Sequence, residues 1–381
     1  MGKSQFSKFL VIALALTAFL AGYLMIGGGF GGSPRNITGT VLDKFENQDS
    51  TADNKLGTES STEPVLLADR QVVSLTTSRN NESVFYYEKN TGKVFNLDLA
   101  GKEERIVSDA VMANFMSSIW SPTREEVISS FYSQSGSDLR HYSFNTREIT
   151  KLDPNIRSIA FSPDGDLTVY YYFDGQPITP IQSINPITEE ISEEGPPAIL
   201  VGKIMISEPS GQYQKKIIDT RLRDVEVSWP AKNQIVLKTP LFDLFLLTED
   251  GKLNKFLESK QLLNESWSKS GKKLLYSALD ETGLEPMLYI KNVETREEKP
   301  LSLAGTGSKC AWSIDDITIF CALAKSPSVD DIYKINILDG SRKLVAEPGF
   351  VVKDILLSSL ESYLVFVSAV DEKLYGVRLS D

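Results

Sequence analysis

The chain has 381 residues, with 40 basic and 51 acidic side chains and a net charge of −11. That balance argues against nucleic acid and anionic membrane surfaces as partners. One histidine, His141, and two cysteines, Cys310 and Cys321, cannot supply the usual zinc or copper ligand sets.

Residues 1–8 carry Lys3 and Lys8, and residues 9–26 are 18 residues without a charge. That run is long enough to span a bilayer at the short end of the range. The flanking charges predict a single-pass signal anchor in a cell membrane, with residues 1–8 cytoplasmic and the remainder outside. Cleavage as a signal peptide is the rival reading, although no small-x-small site is evident. Residues 27–63 are rich in Gly, Ser, Thr, Asn and Asp, and read as a flexible acidic linker. Pro64–Ala68 is then a short apolar run.

From there one unit recurs: a short apolar strand, a turn and a second apolar strand. Its clearest copy is Ser158–Tyr172, with the turn Ser162-Pro163-Asp164-Gly165. Proline presets φ, aspartate bonds its own backbone and glycine accepts φ > 0. The following Val169, Tyr170, Tyr171 and Tyr172 suit a strand buried on both faces. Thr77, Trp120, Phe161, Trp229, Trp267, Trp312 and Leu357 mark equivalent positions, spaced 43, 41, 68, 38, 45 and 45 residues apart. A period of roughly 40–45 residues is that of a four-stranded propeller blade. The 68-residue gap is accounted for by an insertion, 175–200, between the second and third strands of blade three. Each copy also has a second half with two further strands. The last repeat lacks a fourth strand, so Val65–Ala68 is expected to supply it and close the ring.

The stretch Phe161–Gly165 resembles the TolB-type, WD40-like (PD40) propeller repeat, an aromatic followed by Ser-Pro-Asp-Gly and an apolar strand. Trp120–Pro122 and Trp267–Gly271 match it in part. The resemblance covers about residues 64–381 and implies an all-β fold: a seven-bladed β-propeller preceded by one transmembrane helix and a linker. Nothing here corresponds to the separate α/β domain of TolB itself, so TolB's partners are not implied.

No glycine-rich phosphate loop, dinucleotide fingerprint or GxSxG elbow is present. No catalytic residue, metal ligand or cofactor is therefore assigned. His141 sits in an alternating strand and reads as structural or surface. The tryptophans read as packing between blades, and Asp164, Asp166, Asp315 and Asp316 as turn residues. Cys310 and Cys321 flank the turn of blade six and face each other across it, either as a disulfide or as two buried thiols. The insertion carries Glu189, Glu190, Glu193 and Glu194 and no basic residue, which makes it the candidate partner contact. The leading expectation is a membrane-anchored, non-enzymatic scaffold for an unknown protein, peptide or envelope polymer. The alternative is a carboxylate-dependent glycan-active enzyme, hydrolase or lyase, with its site at the channel mouth. Inward-facing acids at one mouth, with aromatic walls, would separate the two, and their absence would count against this carboxylate-dependent enzyme.

Overall fold

The hairpin that the Ser-Pro-Asp-Gly turn dictates is the building unit. The inner strand Ile156–Phe161 pairs antiparallel with Thr168–Tyr172, Phe161 opposite Thr168. Tyr170 and Tyr171 are each 1% exposed, so this sheet is covered on both faces. The computed structural model describes residues 63–379 apart from 101, 135–137, 176, 179–198, 262 and 281. The expected anchor, the linker up to residue 62 and Glu189, Glu190, Glu193 and Glu194 lie outside the described residues. Among the described residues, no helix is long and apolar enough to cross a membrane.

Seven four-stranded antiparallel sheets follow one another. Their inner strands are Val72–Thr77, Phe115–Trp120, Ile156–Phe161, Glu226–Ala231, Asn264–Trp267, Cys310–Trp312 and Val352–Leu357. In blade three, Pro177–Ile178 pairs with Ile199–Leu200 at the base of the segment between the second and third strands. Blade seven takes its outer strand from Val65–Ala68, which pairs with Leu374–Arg378 in the register Val65–Gly376 and Ala68–Leu374. The ring is closed by the two ends of the described chain.

The core lies between blades. Ala68, Val72, Val84, Val365 and Leu374 form one cluster that joins blades seven and one. Leu275, Leu288, Trp312 and Ile335 join five and six. Two of the repeated tryptophans also reach back to the preceding blade: Trp120 Nε1 donates to Ser74 O at 2.7 Å, and Trp312 Nε1 donates to Ser266 O at 3.1 Å. The indole therefore seals the seam with its ring and satisfies the neighbour's inner strand with its N–H.

Candidate functional site at the channel mouth

The turns between inner and second strands form a ring around one mouth of the axial channel. Those of blades two, three, five, six and seven share one backbone. The fourth residue donates its N–H to the carbonyl of the first, as in Gly165 to Ser162 (3.0 Å), Gly271 to Ser268 (2.9 Å), Arg124 to Ser121 (3.0 Å) and Glu361 to Ser358 (3.0 Å). That fourth position is left-handed, with φ of 91° at Gly165, 71° at Gly271, 67° at Arg124, 55° at Asp316 and 59° at Glu361. Glycine accepts such a φ freely and other residues do so at a cost. Three blades thus carry a charged side chain where the repeat has glycine.

The turns are stitched to one another. Arg124 Nε donates to Thr77 O of blade one (2.7 Å) and its Nη1 to Ser121 O (2.8 Å). Ser313 Oγ and Ile314 N donate to the two carboxylate oxygens of Glu361, at 2.9 and 2.6 Å. Ser270 N donates to Asp316 Oδ1 at 3.3 Å, and Ser359 Oγ donates to Ser78 O. Asp316 and Glu361 are thus held in seams between turns.

The cations converge instead. Burial lowers the Arg124 guanidinium to about 10, and Arg79 adds to the effect. It remains charged at neutral pH. Lys269 is solvent-exposed, yet the protein around it pushes its ammonium down, Arg124 pushes the same way and Glu361 opposes. Blades two and five stand three places apart in a ring of seven, so Arg124 and Lys269 can influence each other only across the axis. Arg79, Arg124 and Lys269 form a cationic centre at this mouth.

The opposite mouth carries acids. Burial raises the Glu265 carboxyl despite Lys238, whose Nζ lies 3.1 Å from Glu265 Oε1 and 2.6 Å from Glu226 Oε2. Burial likewise raises Asp354. These residues start the inner strands of blades five and seven, with blade six between them, and no ion pair or hydrogen bond joins them. The aromatic walls lie elsewhere. A cavity of about 430 Å³ between blades one and two is lined by Tyr87, Phe131, Tyr142 and Phe144, with Arg140 stacked 4.2 Å over Phe131. Acids and aromatic walls therefore do not meet at one mouth, as a two-carboxylate site would need.

The residues singled out from sequence fall as follows. Cys310 and Cys321 pair directly across the blade-six hairpin and are joined as a disulfide. His141 is buried in the third strand of blade two beside Glu126. Asp315 accepts N–H bonds from Ile317 and Thr318, each at 2.7 Å, as a turn residue does. Arg79, Arg124 and Lys269 were not picked out by motif. The signal for them was departure from the repeat: Arg124 replaces its glycine, and Arg79 and Lys269 replace its proline.

No family model matches the chain, and no curated protein does. Among solved structures, an oligogalacturonate lyase in complex with manganese aligns at 15% identity and a TM-score of 0.60, over 85% of this chain and 95% of its own. An oligogalacturonate lyase from Vibrio parahaemolyticus aligns at 11% and 0.61, over the same shares. The β-propeller domain of the trilobed protease from Pyrococcus furiosus aligns at 15% and 0.54, over 82% of this chain and 99% of its own. At such identities the likeness shows the fold, a seven-bladed β-propeller. It also corrects the expectation of a non-enzymatic scaffold. That expectation rested on finding no triad or nucleophile in this sequence, and two of these neighbours are oligogalacturonate lyases. Among the described residues, no three His, Cys, Asp or Glu side chains gather closely enough to hold an ion.

Proposed function

We propose that this chain is a glycan-active enzyme that cleaves a uronate-containing oligosaccharide by β-elimination at the cationic channel mouth. One observation carries the reading: the Lys269 ammonium is pushed below its ordinary range by the protein around it and by Arg124, which belongs to a blade three places away. Elimination needs a base for the proton on the carbon next to the carboxylate, and fixed positive charge for the enediolate that forms. A guanidinium engages a carboxylate with two N–H donors, and Arg79 and Arg124 fit that role. Neutral Lys269 takes the proton. The electron pair first moves into the carboxylate, then returns to form the ring double bond as the C–O bond to the next sugar breaks. The leaving oxygen takes a proton from the Lys269 ammonium or from water. A hydrolase would need two carboxylates flanking the scissile bond, which Glu265 and Asp354 do not provide.

The test is incubation with oligogalacturonate and with a neutral glucan of equal length, followed by the ultraviolet absorbance of the unsaturated product. Absorbance with the uronide alone, abolished in Lys269→Met, is the expected result. No product from any uronide, or full activity in Lys269→Met, would overturn the proposal. We further infer that residues 9–26 anchor the enzyme with its propeller outside the membrane. The support is an uncharged run of 18 residues behind Lys3 and Lys8. Protease digestion of intact cells or spheroplasts tests it, and a propeller protected until lysis would reject it.

A further inference from the structure

A second cavity, of about 310 Å³, opens between blades two and three on the flank of the same turns. Its lining includes Glu125, Glu126, Asp166, Glu208 and His141, and no lysine or arginine. The four carboxylates come from three separate segments: the blade-two turn and the strand it leads into, the blade-three turn, and the turn between the outer two strands of blade three. Acid clusters on turns are commonly only solvated faces. His141 makes this one different.

The imidazole is 5% exposed, and both its nitrogens are buried without a hydrogen-bond partner. Its nearest charged neighbour is Glu126, with Nε2 3.6 Å from Oε1. That is too long for a hydrogen bond. Burial holds the ring toward its neutral form, against the pull of Glu126. A neutral imidazole has one acceptor and one donor nitrogen, and leaving both unmet beside a polar cavity is costly. The cavity thus offers carboxylates together with a buried, unmet acceptor, which is what a cationic N–H donor would engage. The volume is far larger than an ion. The acids are spread around it rather than focused, and no three metal-type ligands converge there.

We propose that the cleft between blades two and three binds a small organic cation bearing ammonium groups, with its N–H donors shared among Glu126, Asp166, Glu208 and His141. The site is independent of the uronate reading, because none of these residues belongs to the cationic mouth.

The chain has one histidine, so the imidazole ¹⁵N resonances of the untagged protein report this cavity alone. The probe is 1,4-diaminobutane, titrated against sodium chloride at matched ionic strength. A saturable shift of the His141 resonances with the diamine alone is expected, with a further fall in the His141 pKa, since a bound ammonium opposes a second positive charge. The exposed pair Asp166→Asn and Glu208→Gln should fold normally and weaken that binding about tenfold, the effect of losing a charge-assisted contact. Equal shifts with sodium chloride would overturn the proposal. So would saturation by calcium or zinc that excludes the diamine, or unchanged binding in the double variant.

Discussion

Arg124 does two things that a substitution can separate. Its backbone occupies a left-handed turn position, φ 67°, and its guanidinium reaches the blade-one turn, where Arg79 also acts on it. Arg124→Gly should keep the turn, because glycine is what the repeat places there at Gly165 and Gly271. Relief of the left-handed conformation, about 0.5–1 kcal/mol, offsets part of the lost side-chain bonds. The melting temperature should change little while uronide cleavage falls roughly 100-fold, as expected for a lost charge-stabilising donor. Lys269 gives the matching pH signature. Its folded pKa is lowered, so its neutral fraction grows as pH rises, and kcat/KM should climb to a plateau with a midpoint below 10.5. A profile flat from acid to alkaline pH would remove Lys269 as the base. Asp354 carries the opposite sign. Its folded pKa is raised by burial, so the native state binds more protons than the unfolded chain above the ordinary aspartate value, and stability falls there as pH rises. Asp354→Asn should therefore raise the melting temperature at neutral pH and do little below the ordinary aspartate pKa.

The hairpin is the element on which most was legible in the sequence. Aromatic spacing, Ser-Pro-Asp-Gly chemistry and apolar second strands each imply the same antiparallel pair, and they agree copy after copy. Position 202 shows what such patterns omit. Gly202 begins the third strand of blade three, and a Cβ there would lie 2.2 Å from the Tyr171 ring. That demand comes from a cross-strand neighbour 31 positions earlier, which no local pattern displays. The channel mouth was hidden for the same reason: Arg79, Arg124 and Lys269 belong to turns of blades one, two and five. Only the ring brings them together, so no spacing rule announces them. The Cys310–Cys321 hairpin lies between these cases. Its register was readable from the turn, but whether the thiols join depends on their approach across the pair. With 11 residues of sequence separation, chain-entropy arguments give the disulfide about 2–3 kcal/mol. Cys310→Ala with Cys321→Ala should lower the unfolding free energy by that much, and the denaturation midpoint with it, without altering cleavage. Equal midpoints for this variant and the oxidised protein would show that the bridge adds nothing.

At the scale of the whole molecule, stability and the site meet at the seam between blades seven and one. Val65–Ala68 contributes only four residues, but without them Leu374–Arg378 becomes an open sheet edge. Ala68 is buried in the cluster with Val72 and Leu374, and Leu67 covers Gly376, where a Cβ would sit 2.7 Å from Leu67 Cδ1. The other side of the seam is held by Ser359 donating to Ser78 O and by Val72 N donating to Glu372 O at 2.9 Å. Arg79 follows Ser78 directly, so the seam fixes where one cation of the mouth stands. Removing residues up to Ala68 should cost roughly 3–5 kcal/mol in apolar burial and ladder bonds, and expose an edge that templates association. The clusters between the remaining blades take no residue from this strand, so the ring is not unfoldable without it. The truncated chain should therefore still fold, with a lower melting temperature, self-association on size-exclusion chromatography, and weakened uronide cleavage as Arg79 loses its place. A truncated chain that stayed monomeric, melted as before and cleaved at the full rate would mean that the inter-blade clusters alone hold the mouth, with the latch strand only covering an edge.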